Sequence, residues 1–323
     1  MKRLPLPLGL GALALLVTAC PPPAPQPPPE RRPVTRRPPP DRPATRRTPP
    51  PRRVVKRPPP LRPVVAWRAR PPKPGPTPPI VTPKVETHRL KNGLQVLLVR
   101  RPNLPLVNLR LVLRVGSYED PPGKPGVASL TADLLNDGVK GLTALQLAER
   151  AGGFGASLSS WAGEDGTQVA IRVLRRHFGK ALGLLSRAVR QPTFDPKELA
   201  RRQKQTVNYV RRVLNHPSAI ASLVFARVIH GATHPYGRLD SGRPKQIGQI
   251  TRGDILAFYK QHYRPGRAAL VIVGDVTWRQ VRAQVRRRFG AWRGAPTQPA
   301  PVKPAAPPKG RLFVTPLPRA PQT

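Results

Sequence analysis

The sequence predicts an α+β domain over residues 81–293, and three observations point there. Segments that alternate apolar and polar residues, the period of a half-buried strand, occur at 107–115 and 157–174. Amphipathic stretches between and after them open on recognisable helix caps. The two kinds of segment are interleaved irregularly rather than as a strict βαβ series, which argues for α+β.

In chain order, Asn92-Gly93 is a tight-turn signal and Leu94–Val99 the strand that follows it. Val107–Val115 alternates apolar and polar, so the two runs together predict an antiparallel start to a sheet. Val127, Leu130, Leu134 and Leu135 form the apolar stripe of a helix. Thr143 with Gln146 makes a capping box for a helix over 144–151. After the alternating 157–174 region, Phe178–Val189 is amphipathic. Asp195-Pro196-Lys197-Glu198 sets an N-cap, an N1 proline and an early acid in order, which predicts a helix to about Leu214. Pro217 opens another through Ile229, and Thr251 with Asp254 caps the next. Ala268–Val273 reads as a buried strand ending at Gly274-Asp275, and Thr277 with Gln280 starts a last helix to Phe289. Residues 294–323 return to Pro/Ala-rich linker, with Arg311-Leu312-Phe313-Val314 reading as the start of a further strand.

Composition divides the chain sharply. Of its 323 residues 48 are proline, and 57 Lys+Arg face 15 Asp+Glu. Residues 21–80 hold 25 of the prolines, 15 of the cations and 2 acids, too little apolar surface to offset chain entropy, so disorder is expected over 20–80. The remaining stretch keeps 40 Lys/Arg against 13 acids and is long enough for a core. A single cysteine excludes an intramolecular disulfide framework and a Cys-rich zinc module.

Residues 1–19 have the anatomy of an export signal: Met1-Lys2-Arg3, then an apolar run from Leu4 to Val17 that is too short to span a membrane. The run Leu16-Val17-Thr18-Ala19-Cys20 resembles the bacterial lipobox, in which the cysteine after the cut carries acyl chains; an ordinary secretory signal beside a stray cysteine is the plainer reading. Pro21 rather than Asp follows Cys20, which favours the outer membrane. The expectation is a lipid-anchored protein of the bacterial cell envelope, facing the periplasm. The Pro/Arg-rich stretch would then be a tether, reaching roughly 150 Å if extended at about 3.1 Å per residue. Its arginine doublets (Arg31-Arg32, Arg36-Arg37, Arg46-Arg47, Arg52-Arg53) suit either contact with anionic lipid or cell-wall polymer, or a solvated spacer. Aromatic residues for stacking bases are missing around Trp67, so no nucleic-acid partner is expected.

Three stretches carry a family resemblance. They are Val115–Gly126 (VGSYEDPPGKPG), His234-Pro235-Tyr236-Gly237-Arg238, and Tyr259–Asp275 with its Tyr-Arg-Pro and Val-Gly-Asp. In order and spacing they resemble the pitrilysin/insulinase-like zinc peptidases, among them the mitochondrial processing peptidases. The resemblance implies a largely antiparallel sheet packed by helices, and two such domains enclosing a chamber. Residues 310–323 resemble the linker and first strand of that second domain, so the chain is either a piece of a two-domain protein or a single-domain member whose other half is elsewhere.

The family's chemistry rests on His-x-x-Glu-His, in which two histidines one helical turn apart hold zinc and the glutamate is general base, with a distant glutamate as third ligand. Here Ser129 stands at the first histidine, Ala132 at the base, Asp133 at the second histidine and Tyr209 at the third ligand. The resemblance therefore implies zinc, yet its ligands are missing, and neither a cofactor nor a catalytic residue is expected. Asp133 with Asp137 reads as a solvated helix face. His230 and His234 are interrupted by Gly231 and Pro235, while His88, His177, His216 and His262 read as surface or capping residues. Ser157, Ser159 and Ser160 fall in the segment that resembles the family's substrate-facing edge strand; no Gly-x-Ser-x-Gly elbow surrounds them. Gly152-Gly153-Phe154-Gly155 lacks a nucleotide-binding context and reads as a turn.

Two functions follow as expectations. One is a non-catalytic subunit that completes a peptide-enclosing chamber with a zinc-bearing partner of the family, with extended peptide as its ligand. The other is a surface-tethered binding or scaffold protein that recognises anionic polymer. An active zinc metalloendopeptidase is a distant third.

Overall fold

The structure, a computed structural model, describes residues 81–294 together with 75–77, 79 and 313–314. The signal, lipobox, most of the tether and most of the tail beyond 294 lie outside the described residues, and Phe313 and Val314 belong to no strand.

Strands β1 (Glu86–Arg89) and β2 (Gln95–Arg100) form a hairpin through Asn92-Gly93. Gly93 is at φ +91, open to a residue without a side chain, and a β-carbon there would sit 3.3 Å from Gly266. Strand β3 is Leu106–Leu113, followed by α1 (Val127–Leu134). A two-residue ladder, β4 (Gly138–Val139) and β5 (Leu142–Thr143), leads into α2 (Ala144–Gly152), whose capping box is formed as the sequence indicates. Then come β6 (Leu158–Ala162), β7 (Thr167–Leu174), α3 (Phe178–Arg190) and α4 (Pro196–Val213). The Asp195 side chain accepts a hydrogen bond from the Lys197 N–H at 2.8 Å, closing the N-terminus of α4. Helices α5 (Pro217–His230), α6 (Pro244–Gly248) and α7 (Arg252–His262), strand β8 (Ala268–Gly274) and helix α8 (Trp278–Phe289) complete the domain.

The main sheet runs β1-β2-β8-β3-β7-β6 and is antiparallel except for the β2–β8 pair. This largely antiparallel α+β architecture is the predicted one. The expected pairing of β2 with β3 does not occur, because β8 inserts between them. β8 carries Leu270 and Ile272, both fully buried, and a central place bonds both of its edges while hiding that apolar row. Nor is β8 buried on both faces: Ala269, Val271 and Val273 are half-exposed. The helices cover one face of the sheet, where Leu98, Leu109, Leu111 and Ile171 join α1, α3, α7 and α8 in a single core.

Candidate functional site

Helix α1 carries Ser129, Ala132 and Asp133, three of the four positions that the sequence sets against the family motif, and its start is tightly specified. The buried Asp120 carboxylate accepts hydrogen bonds from the Gly126 N–H at 2.8 Å and the Ala128 N–H at 2.7 Å, capping the helix. Burial outweighs those bonds and raises its pKa to about 7. Gly126 is at φ +103, and a β-carbon there would lie 2.5 Å from the Ser241 carbonyl oxygen. The absent side chain lets the loop at 239–243 close onto the helix.

That packing leaves a cavity of about 600 Å³ whose lining includes Ser129, Asp133, Trp161, Arg202, Tyr209 and Ser241. Three of the four motif positions named from the sequence, Ser129, Asp133 and Tyr209, thus converge although they come from α1 and α4. Ala132 does not line the cavity; it is fully buried, and its carbonyl oxygen accepts from the Ser160 hydroxyl at 2.5 Å. Ser157 and Ser159 lie apart, along a groove of about 430 Å³ on the open face of the sheet with Asn108, Arg110 and Arg172. β6 is one of the two edge strands of the described sheet and pairs only with β7. Its half-exposed Trp161 lines the cavity.

The electrostatics come from the opposite wall. Asp137, just past α1, is only 6% exposed and is bonded by Arg202 through Nε at 2.5 Å and Nη2 at 2.8 Å, with Arg201 at 2.9 Å. The solvated acidic face expected for Asp133 and Asp137 is therefore absent, because α4 packs two guanidinium groups over the turn. The Asp137 hydrogen bond pushes the Arg202 pKa up, consistent with a permanently charged clamp. Burial raises the Asp133 pKa to about 6, the nearby Arg202 charge opposing it and Asp137 adding to it. Arg202, Trp161 and Ser241 were not singled out from the sequence. Arg202 was legible in principle: it precedes Tyr209 by seven residues, two helical turns, and so shares its face.

This donor set does not fit zinc. A hydroxyl, one half-buried carboxylate and a phenol replace imidazoles and a glutamate, and a guanidinium stands beside the carboxylate. Among the described residues no three His, Cys, Asp or Glu side chains are grouped to hold a metal. His230 and His234 stack at 5.4 Å, but α5 ends at Gly231 and His234 Nδ1 accepts from the Tyr236 N–H at 3.1 Å. The Tyr236 hydroxyl donates to Asp165, which raises its pKa to about 12. His262 departs from its surface assignment: it is 5% exposed, 3.2 Å from Glu119 and beside Arg267, and burial pushes its pKa down. His88 stacks on Trp278 at 3.5 Å, and His216 is the N-cap residue of α5. The glycine run at 152–155 ends α2 and turns into β6.

Comparison with known proteins returns two family models, "Insulinase (Peptidase family M16)" over residues 95–234 and "Peptidase M16 inactive domain" over 249–323. An uncharacterized zinc protease of Rickettsia bellii is 27% identical over 205 residues, 63% of this chain and 49% of that protein. Zinc protease PqqE of Helicobacter pylori is 29% identical over 210 residues, 64% of this chain and 47% of its own length. Among solved structures, a peptidase M16 inactive domain from Pseudomonas fluorescens superposes with a TM-score of 0.65 at 31% identity, covering 69% of this chain and 54% of that one. The chain spans about half the length of the curated relatives it matches.

Proposed function

Because the chain belongs to the insulinase-like peptidase family M16, we propose that it is a non-catalytic half of a peptide-enclosing chamber, completed by a zinc-bearing subunit or domain of the same family. The observation that supports this most is the cavity in which Ser129, Asp133 and Tyr209 meet: the place of a metal site is kept and its donors are replaced. Ala132 offers no group to take a proton from water, a loss of typically 10²–10⁴ in rate even where a metal is supplied.

What remains suits binding. The outer edge of β6 offers backbone groups to an extended peptide, and Trp161 and Arg202 beside it supply an aromatic surface and a charge. Enclosure between two halves would exclude water around a peptide cut at the partner's metal. The N-terminal signal with its lipobox supports placing the protein in the bacterial envelope, held through lipid on Cys20 by a tether over 20–80.

The test pairs the purified full chain with a member of the family from the same cell that retains His-x-x-Glu-His. Zinc content and cleavage of a peptide library are measured for each chain alone and for the mixture. Cleavage that appears or rises at least tenfold on mixing, with zinc only on the partner, is the expected result. Stoichiometric zinc on this chain alone, with chelator-sensitive cleavage, would falsify the reading.

A further inference from the structure

We propose that the arginine face of α8 docks the domain on an anionic phospholipid surface. This helix carries Arg279, Arg282, Arg286, Arg287 and Arg288 and no acidic residue. Arg279, Arg282 and Arg286 recur at i, i+3 and i+7 on one side of the helix; they and Arg287 are exposed. Arg288 is spent internally, donating to the Gly179 carbonyl on α3 at 3.0 Å.

A helix stabilises cations in its last turn, where the dipole is negative, which accounts for Arg286 to Arg288. It does not account for Arg279, which stands in the first turn, where an acid would help and none is present. The neighbours add charge of the same sign. Lys91 is exposed in the turn that Asn92 ties to the end of α8, by bonds to the carbonyls of Phe289 and Trp292 at 2.7 and 2.9 Å. At the other end a groove of about 380 Å³ is bordered by Arg175, Arg176, Gln280 and Gln284 over Phe178 and Val276. Two guanidinium groups and two amides above an apolar floor match a phosphodiester headgroup with the glycerol behind it. Asp275 is held by Arg175 at 2.7 Å and leaves the field positive.

The face is also well placed. The chain enters the domain through β1, and His88 of that strand stacks on Trp278, the first residue of α8. β1 and β6 are opposite edges of the sheet, so contact through α8 leaves β6 free. The inference stands independently of the chamber.

The experiment uses the full chain carrying Cys20→Ser, so that acylation plays no part, with vesicles of phosphatidylglycerol in phosphatidylcholine at low salt. One variant adds Arg279→Gln, Arg282→Gln, Arg286→Gln and Arg287→Gln. A control of equal charge adds Arg150→Gln, Lys197→Gln, Lys204→Gln and Arg211→Gln, all exposed elsewhere. Circular dichroism confirms that both fold. The α8 variant is expected to lose about 100-fold in vesicle partitioning and the control less than about threefold, since each cation at an anionic surface contributes several-fold. Equal losses in the two variants, or none in either, overturn the proposal, as does α8-dependent binding to pure phosphatidylcholine. A loss confined to a soluble acidic polysaccharide, with vesicle binding intact, overturns the lipid assignment.

Discussion

The hydroxyl of Ser160 donates to the carbonyl oxygen of Ala132 at 2.5 Å, joining edge strand β6 to helix α1. Both residues are buried, so the bond is shielded from water. Ser160→Ala would leave the strand without its tie to α1 and is expected to destabilise the domain by about 1 kcal/mol. At this domain size that lowers the melting temperature by about 2–4 °C. Ser159→Ala, exposed one residue earlier, should change it by less than about 0.5 kcal/mol. Equal effects at the two serines would refute the assignment.

The Arg202–Asp137 clamp should be the more sensitive contact. Arg202→Ala leaves a buried carboxylate with only Arg201, and a loss of about 2–3 kcal/mol is expected in urea unfolding. Arg202→Lys should recover only part of it, because one ammonium cannot reproduce the two-bond fork. Full rescue by lysine would show that charge alone matters.

Asp133 sets a pH dependence. Its folded pKa of about 6 lies above the ordinary 3.8, so between those values the folded state binds more protons than the unfolded one. Its contribution thus favours folding at acid pH and is lost as pH rises through about 6. Asp120, raised to about 7, acts in the same direction. Asp133→Asn should flatten the stability profile between pH 4 and pH 7 and stabilise the protein at pH 8 by about 1 kcal/mol, after allowing for solvent screening at a half-buried site. An unchanged profile in thermal melts across that range would show that burial does not govern this carboxyl.

Replacing the motif positions tests the geometry of the cavity. Ser129→His, Asp133→His and Tyr209→Glu together should create a site that binds zinc by calorimetry, since all three positions line one cavity. With Ala132 unchanged the variant should bind metal without cleaving peptide. Failure of a folded triple variant to take up zinc would mean that the three positions are not arranged around a common point.

Cys20→Ser is expected to move the protein from the membrane to the soluble fraction at high salt, where the contacts of the arginine tether are screened. Retention in membranes under those conditions would place the anchor elsewhere.

The legible parts of this fold are those decided by neighbours in sequence. The Thr143–Gln146 box, the Asp195 cap and the alternation of β3 and β7 involve residues a few positions apart, and the structure reproduces them. The placement of β8 between β2 and β3 was hidden, because partner choice among apolar strands depends on distant chain. Asp137 and His262 follow the same logic: each is polar and reads as solvated until a charged partner distant in sequence, Arg202 for Asp137 and Glu119 for His262, is packed against it. At the site the motif spacing located Ser129, Asp133 and Tyr209, whereas Trp161 and Ser241 reach the cavity only through the tertiary fold.

Strand β8, which joins the two halves of the sheet, is also the last of its described strands to be synthesised. Until Ala268–Gly274 leaves the ribosome, β1–β2 and β3–β7–β6 are separate ribbons with nothing to join them. The longest-range pairings are then made at once, in one late step that brings β8 against partners more than 150 residues earlier. A nascent chain of this topology lacks its joining strand for most of its synthesis, and its two ribbons can pair into one sheet only when that segment arrives.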